Sequence, residues 1–329
     1  MGECFISRRG AGDIYLVPIL DANYPEDVSI TASANGTVSF AVLISEHGKP
    51  TDYTYQWYVN GSAVSGAINV NYTMNATENN VGTYTVYCNV TNKGGTVSSR
   101  AATLVVKSAI LTSASYSYTG TSQLQKDGDY SWTLYLKSSG TLTLPDSHNV
   151  DIFVQAGGGG GGDWTQTDDL GWGHGGGGGA GGYQQTQYAQ TIQGTYEITI
   201  GSGGSMEGKG GNSSGFGLTA QGGAAASKRT AGTAGTAAGG NGGTYNGNGN
   251  GSSGSNGKNG KQAFGSGDTY YGAGGGGTGG TFSDSDGQGG KTGGGSGTAG
   301  KNNATANTGS GGGGEGKGGS GIVIIRSAR

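Results

Sequence analysis

Of the 77 glycines in this 329-residue chain, 64 lie beyond residue 150, and no other property of the sequence restricts the fold as much. A region that is roughly one-third glycine matches collagen in content, yet it lacks the Gly-X-Y period and the proline that a triple helix needs. Side chains cannot hold such a region together. It is either a flexible Gly/Ser linker, since glycine loses the most entropy on ordering, or an array of extended chains whose bare backbones approach closely and bond to one another. Order is favoured by three β-prone runs, Val150–Val154, Tyr196–Ile200 and Ile322–Ile325, the last apolar throughout as in a buried strand. It is also favoured by Trp164, Trp172, Tyr183, Tyr188, Phe216, Phe264, Tyr270, Tyr271 and Phe282, because a ring needs burial or a ligand.

The length allows two or three domains. With 18 Lys+Arg against 21 Asp+Glu and a net charge of −3, the chain has no basic footprint for nucleic acid. No apolar stretch is long enough to span a bilayer, and residues 1–20 do not read as a secretory signal. Cys4 and Cys88, the only cysteines, read as free thiols from a reducing compartment.

Short alternating stretches fall at Val28–Thr31, Thr37–Ile44, Tyr53–Val59, Tyr72–Ala76, Gly82–Val90 and Gly95–Val106. Asn35-Gly36, Asn60-Gly61 and Lys93-Gly94-Gly95 separate some of them, a pattern that predicts an antiparallel sandwich over 28–107. Alternation puts Tyr55, Trp57 and Val59 on one face, so Trp57 is the expected core tryptophan. Tyr55-Gln56-Trp57-Tyr58, followed by Asn80-x-Gly82-x-Tyr84-x-Val86, resembles an immunoglobulin-like domain of bacterial and phage type. The resemblance implies that Trp57 packs in the inter-sheet core and that Tyr84 forms a tyrosine corner. Val86 stands where the second disulfide cysteine would be, so packing must replace the crosslink. Such a module reads by default as a spacer.

A β-rich base is expected over 108–156. It comprises Tyr130–Leu136, Gly140–Leu144 and Val150–Val154, with turn-like breaks at Lys137–Gly140 and Pro145–His148. The base runs into Gly157–Gly162 and a glycine-rich domain over 157–329, closed by the strand 322–325. The entry Val150–Val154 into polyglycine, the run Thr195–Gly201 and the ending Gly319–Arg326 together resemble the glycine-rich domain of phage tail-fibre and tail-tip proteins. That resemblance implies a virion appendage, synthesised in the bacterial cytoplasm, whose glycine helices stack as a polyglycine II bundle, sometimes as a host-recognising adhesin. The fold class expected is all-β: an immunoglobulin-like sandwich, a β-rich base and packed polyglycine II-type helices.

A threefold extended helix rises about 3.1 Å per residue and makes no internal hydrogen bonds, so its neighbours must supply them. Gly157–Gly162, Gly175–Gly179, Gly274–Gly277 and Gly311–Gly314 suit interior positions; Lys209, Lys258, Lys291, Lys301 and Lys317 suit the rim. Acidic-aromatic interruptions carry the candidate receptor contacts: Trp164, Asp168, Asp169, Trp172, Tyr270, Tyr271, Phe282 and Asp284. The rings either stack on sugars while carboxylates accept hydroxyl bonds, or they cap the bundle. No catalytic motif, cofactor fingerprint or metal site is expected; Asp146, His148 and Asp151 fall in a commonplace polar turn, and Asp284-Ser285-Asp286-Gly287 has oxygen ligands suited to Ca²⁺ but too few for a defined loop. Residues 1–27 read as an anchoring arm that joins other virion proteins or its own copy, so a homo-oligomer is expected. The partners expected are virion proteins and a host surface polysaccharide, with no membrane insertion. The alternatives are a bacterial cell-surface adhesin or a purely structural decoration or spacer.

Overall fold

The computed structural model describes residues 7–8, 14–46, 49–163, 177–186, 189–227, 231–232, 258–265, 270–275, 289 and 302–328. They divide into two compact units, Met1–Ile110 and Leu111–Arg329. Among the described residues, secondary structure is β throughout, apart from two short 3-10 turns.

The first unit contains β1 (Ser7–Arg8), β2 (Ile14–Tyr15), β3 (Ile19–Leu20), β4 (Val28–Thr31), β5 (Thr37–Ala41) and β6 (Ile44–Glu46). It continues with β7 (Thr54–Val59), β8 (Ser62–Ala63), β9 (Asn71–Asn75), β10 (Gly82–Asn92), β11 (Gly95–Ser98) and β12 (Ala102–Lys107). One sheet runs β4-β12-β10-β7-β8, with β11 also on β10, while β5 pairs with β9. Alternation along β10 buries Val86, Cys88 and Val90. These meet Trp57 of β7, Leu104 and Val106 of β12, and Val38 and Phe40 of β5 in one apolar core, as period-two patterning requires. The stretches 37–44 and 95–106, each expected as one strand, are each two.

Asn60-Gly61 makes the β7–β8 turn with φ of 50° and 79°, a left-handed pair that Asn and Gly tolerate. The Tyr84 hydroxyl donates to the Asn80 carbonyl at 2.9 Å. Cys88 is a buried free thiol, and loss of hydration pushes its pKa up to about 11. Much of the described part of the segment 1–27 is paired inside this unit. β3 lies on β6, Leu16 exchanges backbone bonds with Lys49, and Asn92 Nδ2 donates to the Leu16 and Pro50 carbonyls at 2.8 and 3.0 Å.

The second unit comprises β13 (Ser117–Tyr118), β14 (Ser122–Lys126), β15 (Trp132–Leu136), β16 (Gly140–Gln155), β17 (Tyr183–Gln185) and β18 (Gln190–Ile198). Then come β19 (Ser213–Gly215), β20 (Leu218–Ala220), β21 (Lys261–Gln262), β22 (Tyr270–Tyr271) and β23 (Ile322–Ser327). Its main sheet is ordered β13-β16-β23-β15-β14, with β17 and β18 also on β16. The break expected at Pro145–His148 is a bulge inside one 16-residue strand, where the register to β18 shifts between Leu144 and His148. Such an insertion bends a strand without ending it. β23 lies between β15 and β16 and is apolar because both of its faces are covered. Val323 and Ile325 join Trp132, Leu134, Ile152 and Val154 on one side; Ile322 and Ile324 join Phe153 and Tyr271 on the other.

Beyond Gln155 the chain stays extended without joining a sheet. The amides of residues 156 to 161 donate in turn to the carbonyls of Gly182, Gly211, Gly319, Gly179, Gly208 and Gly316. The carbonyls of residues 157 to 162 accept in turn from the amides of Gly223, Gly204, Gly312, Ala226, Glu207 and Glu315. Each partner segment therefore recurs every third residue. Three antiparallel segments take the donated bonds and three parallel segments supply the accepted ones, so the stretch is enclosed on six sides. A Cβ on Gly159 would collide with the Ala224 carbonyl, and one on Gly158 with that of Ser310; only glycine permits this approach. Gly177–Gly179 and Gly311–Gly314 are likewise buried, whereas Lys209, Lys258 and Lys317 are exposed. Gly175, Gly176, Gly276, Gly277, Lys291 and Lys301 lie outside the described residues.

His148, at the bulge, is 7% exposed. Its ring meets Trp132 edge-on at 5.7 Å, and its Nε2 has no hydrogen-bond partner among the described residues. Burial holds the imidazole pKa below its ordinary value, against the weaker upward pull of Asp146. The folded state thus binds this proton less readily than the unfolded chain. Acid favours unfolding, and the stability is complete above the unfolded pKa of about 6.5 and declines as pH falls through it toward the lower folded value. His148→Leu is expected to flatten that part of the pH dependence, as read by urea midpoints at pH 7.5 and pH 5. An unchanged slope would place the proton elsewhere.

Candidate functional site

Two places in the described part of the second unit bear on ligand contact. The first is the end of the glycine lattice farthest from the sheet. The stretch leaving β16 reaches it at Asp163; the turn Ser205–Gly208 closes there with Gly208 N on Ser205 O, and Gly313–Gly316 closes in the same way. Glu207 and Glu315 take left-handed φ values of 53° and 59° in these turns, and the Asp163 amide donates to Glu207 Oε1 at 3.4 Å. Asp163 and Gly177 both stand toward this end. Asn302, whose carbonyl accepts from Gly313, stands there too, and Gly275 runs toward it beside Gly178. Trp164, Asp168, Asp169, Trp172, Phe282 and Asp284 themselves lie outside the described residues.

Tyr270 and Tyr271 belong elsewhere. Their strand β22 pairs with β21 over the face of the main sheet. Tyr271 is 6% exposed and its ring lies 5.5 Å from Phe153. Burial pushes its hydroxyl pKa up to about 12. Tyr270 is half-buried.

The second surface is an open cleft of about 420 Å³ lined by Tyr183, Gln184, Gln185, Leu218 and Lys261. β17 places Tyr183 over Phe153, with centroids 5.6 Å apart and planes 21° from parallel, so one face of the tyrosine is backed and the residue stays 38% exposed. Gln184 Oε1 accepts from the Thr219 amide at 3.0 Å, and Gln185 Oε1 accepts from the Phe264 amide at 3.3 Å. These bonds anchor both carboxamides and leave their Nε2 donors unused by the same contacts. Arg326 lies over the Phe264 ring at 4.1 Å and is neutralised by Asp151 at 3.0 Å. The sequence marked Tyr183 only as one aromatic among many. What brings it to a cleft is the pairing of β17 with β16, which short polar Tyr-Gln-Gln does not advertise.

Among the described residues, no group of three or more His, Cys, Asp or Glu could hold a metal ion. Asp151 is committed to Arg326, and His148 is turned against Trp132. No described helix is long and apolar enough to cross a membrane.

A search among curated protein sequences finds no match. A solved structure similar to the chain is SGBP-B of the mixed-linkage glucan utilization locus of Bacteroides ovatus, in complex with a mixed-linkage heptasaccharide. Identity is 12%, 69% of this chain and 71% of that one are covered, and the TM-score is 0.20, a likeness too slight to argue fold or ligand from. The expected phage tail-fibre identity and its virion localisation are corrected. The protein found by this comparison is bacterial rather than part of a virion. That model, a glycine-rich domain, matches residues 136–328, well over half of the chain, and the protein belongs to this glycine-rich domain family.

Proposed function

We propose that this protein is a non-catalytic adhesin that contacts a surface glycan from the free end of its glycine-rich domain. In this reading, the first unit is an immunoglobulin-like spacer and the glycine-rich region is a polyglycine II bundle. The observation that carries the proposal is the enclosure of residues 157–162 by six segments bonded every third residue. A flexible linker has no such partners, and threefold recurrence is the signature of an extended helix with three residues per turn. A bundle built of backbone bonds is a stiff mount, and aromatic side chains set at its end would lose little entropy on meeting a sugar. Trp164 and Trp172 are the proposed stacking residues, with Asp168, Asp169 and Asp284 as hydroxyl acceptors and Phe282 as a further apolar contact.

A Trp164→Ala/Trp172→Ala variant is expected to lose at least ten-fold in affinity on a glycan array while keeping its melting midpoint. Unchanged binding by a folded double variant would return these rings to a capping role. No glycan bound by the wild type would remove the adhesin reading.

A further inference from the structure

We propose that the Tyr183 cleft is a second, independent carbohydrate site and that its ligand is an acidic pyranose, a uronic-acid unit of a polysaccharide. The cleft differs from the bundle end in place and in chemistry, so the proposal goes beyond the adhesin reading and does not rest on it.

A pyranose presents a patch of axial C–H groups on one face and hydroxyls around its edge. The apolar face needs a flat ring held rigidly with one side open. Tyr183 meets that need, because Phe153 backs its other side, and Phe153 is itself fully buried among Ile322, Ile324 and Tyr271. Leu218 supplies a second apolar wall. The hydroxyl edge needs fixed donors, and the carboxamides of Gln184 and Gln185, anchored through their oxygens, offer N–H groups that accept no competing role in those bonds. A volume of about 420 Å³ falls at the lower end of ligand-site sizes, enough for one or two sugar rings.

Charge selects among sugars. Lys261 is exposed at the cleft and belongs to its lining, in which no carboxylate takes part among the described residues. The nearby Arg326 is already paired with Asp151 and held over Phe264, so among the described residues Lys261 is the cation left to meet a ligand carboxylate. A neutral hexose would use the ring and the amides and gain nothing from the ammonium.

Calorimetric titration of the full chain with an oligogalacturonate tetramer, and with cellotetraose as the neutral counterpart, tests this. The uronate is expected to bind at least ten-fold more tightly at low ionic strength and to lose that advantage in 0.5 M salt, as an exposed charge contact must. Lys261→Gln, a surface change that should not disturb folding, is expected to abolish the preference. Tyr183→Ala is expected to weaken binding of both sugars at least ten-fold with the melting midpoint held. The Trp164→Ala/Trp172→Ala variant is expected to bind the uronate as the wild type does. No binding by the wild type, a preference that survives Lys261→Gln, or a loss that follows the tryptophans rather than Tyr183 would each overturn the proposal.

Discussion

Gly159→Val is expected to destabilise the second unit by about 4–6 kcal/mol and to open it to protease. The Cβ alone would occupy the position of the Ala224 carbonyl oxygen, and this neighbour is backbone, which cannot swing aside as a long side chain could. Relief requires the segment 223–226 to move, yet that segment also donates to Gly157 and Gly160. Displacement of residue 159 itself breaks its bonds to Gly179 at 2.8 Å and from Gly312 at 3.0 Å. Each buried group left unpaired costs about 1–3 kcal/mol, and overpacking adds about 1–3 more. For a unit of this size, roughly 2–4 °C per kcal/mol makes the expected fall in melting midpoint about 10–20 °C. Lys317→Ala, on the exposed rim, is the control and should stay within about 0.5 kcal/mol. A wild-type glycine region that protease removes as fast as a denatured chain, or a Gly159→Val protein that melts with it, would remove the bonded lattice as the basis of order.

What the sequence disclosed follows the strength of its local signals. Period-two alternation put Trp57 in a core, and it is 0% exposed. The apolar run Ile322–Ile325 announced a strand covered on both faces, and β23 lies between β15 and β16. Boundaries were harder. Pro145-Asp146-Ser147 has the composition of a turn, but pairing with β18 on both sides carries β16 through it as a bulge, a tertiary effect that local chemistry cannot report. Residues 14–20 carry no local signal for a partner, because the pairings they make, Leu16 with Lys49, Ile19 with Glu46 and Leu20 with Ile44, are short and distant along the chain. The glycine region is the limiting case. Composition indicated close backbone approach, but with no side chains there is no pattern to say which segment neighbours which, and the ring of six partners around 157–162 becomes visible only in three dimensions. For the same reason the Tyr183 cleft escaped notice, since its walls come from 183–185, 218 and 261.

Trp57→Ala is the second large expected effect and bears on the first unit. The indole is fully buried. Tyr72 stacks on it with centroids 5.8 Å apart and Phe40 tilts against it at 6.5 Å. Its Nε1 donates to the Asn69 carbonyl at 2.9 Å, so truncation leaves both a cavity and an acceptor without its donor. Tyr72 and Phe40 lie on the paired strands β9 and β5, while Trp57 faces them from β7, so the ring joins the β5–β9 pair to the sheet that holds β7. Cys88 sits opposite Trp57 in the β10–β7 register and is a free thiol, so this contact rests on packing. Loss of a large aromatic from a core costs about 3–5 kcal/mol, and partial relaxation of β5 and β9 toward the gap would set the value within that range. Trp57→Phe retains most of the volume and loses the indole donor, so it should cost appreciably less than the alanine change. Chemical denaturation of the full chain, followed by the fluorescence of the remaining tryptophans and by near-ultraviolet dichroism, separates this unit from the glycine-rich one. An alanine variant with an unchanged first transition would mean that the two sheets of this unit are held together by something other than Trp57.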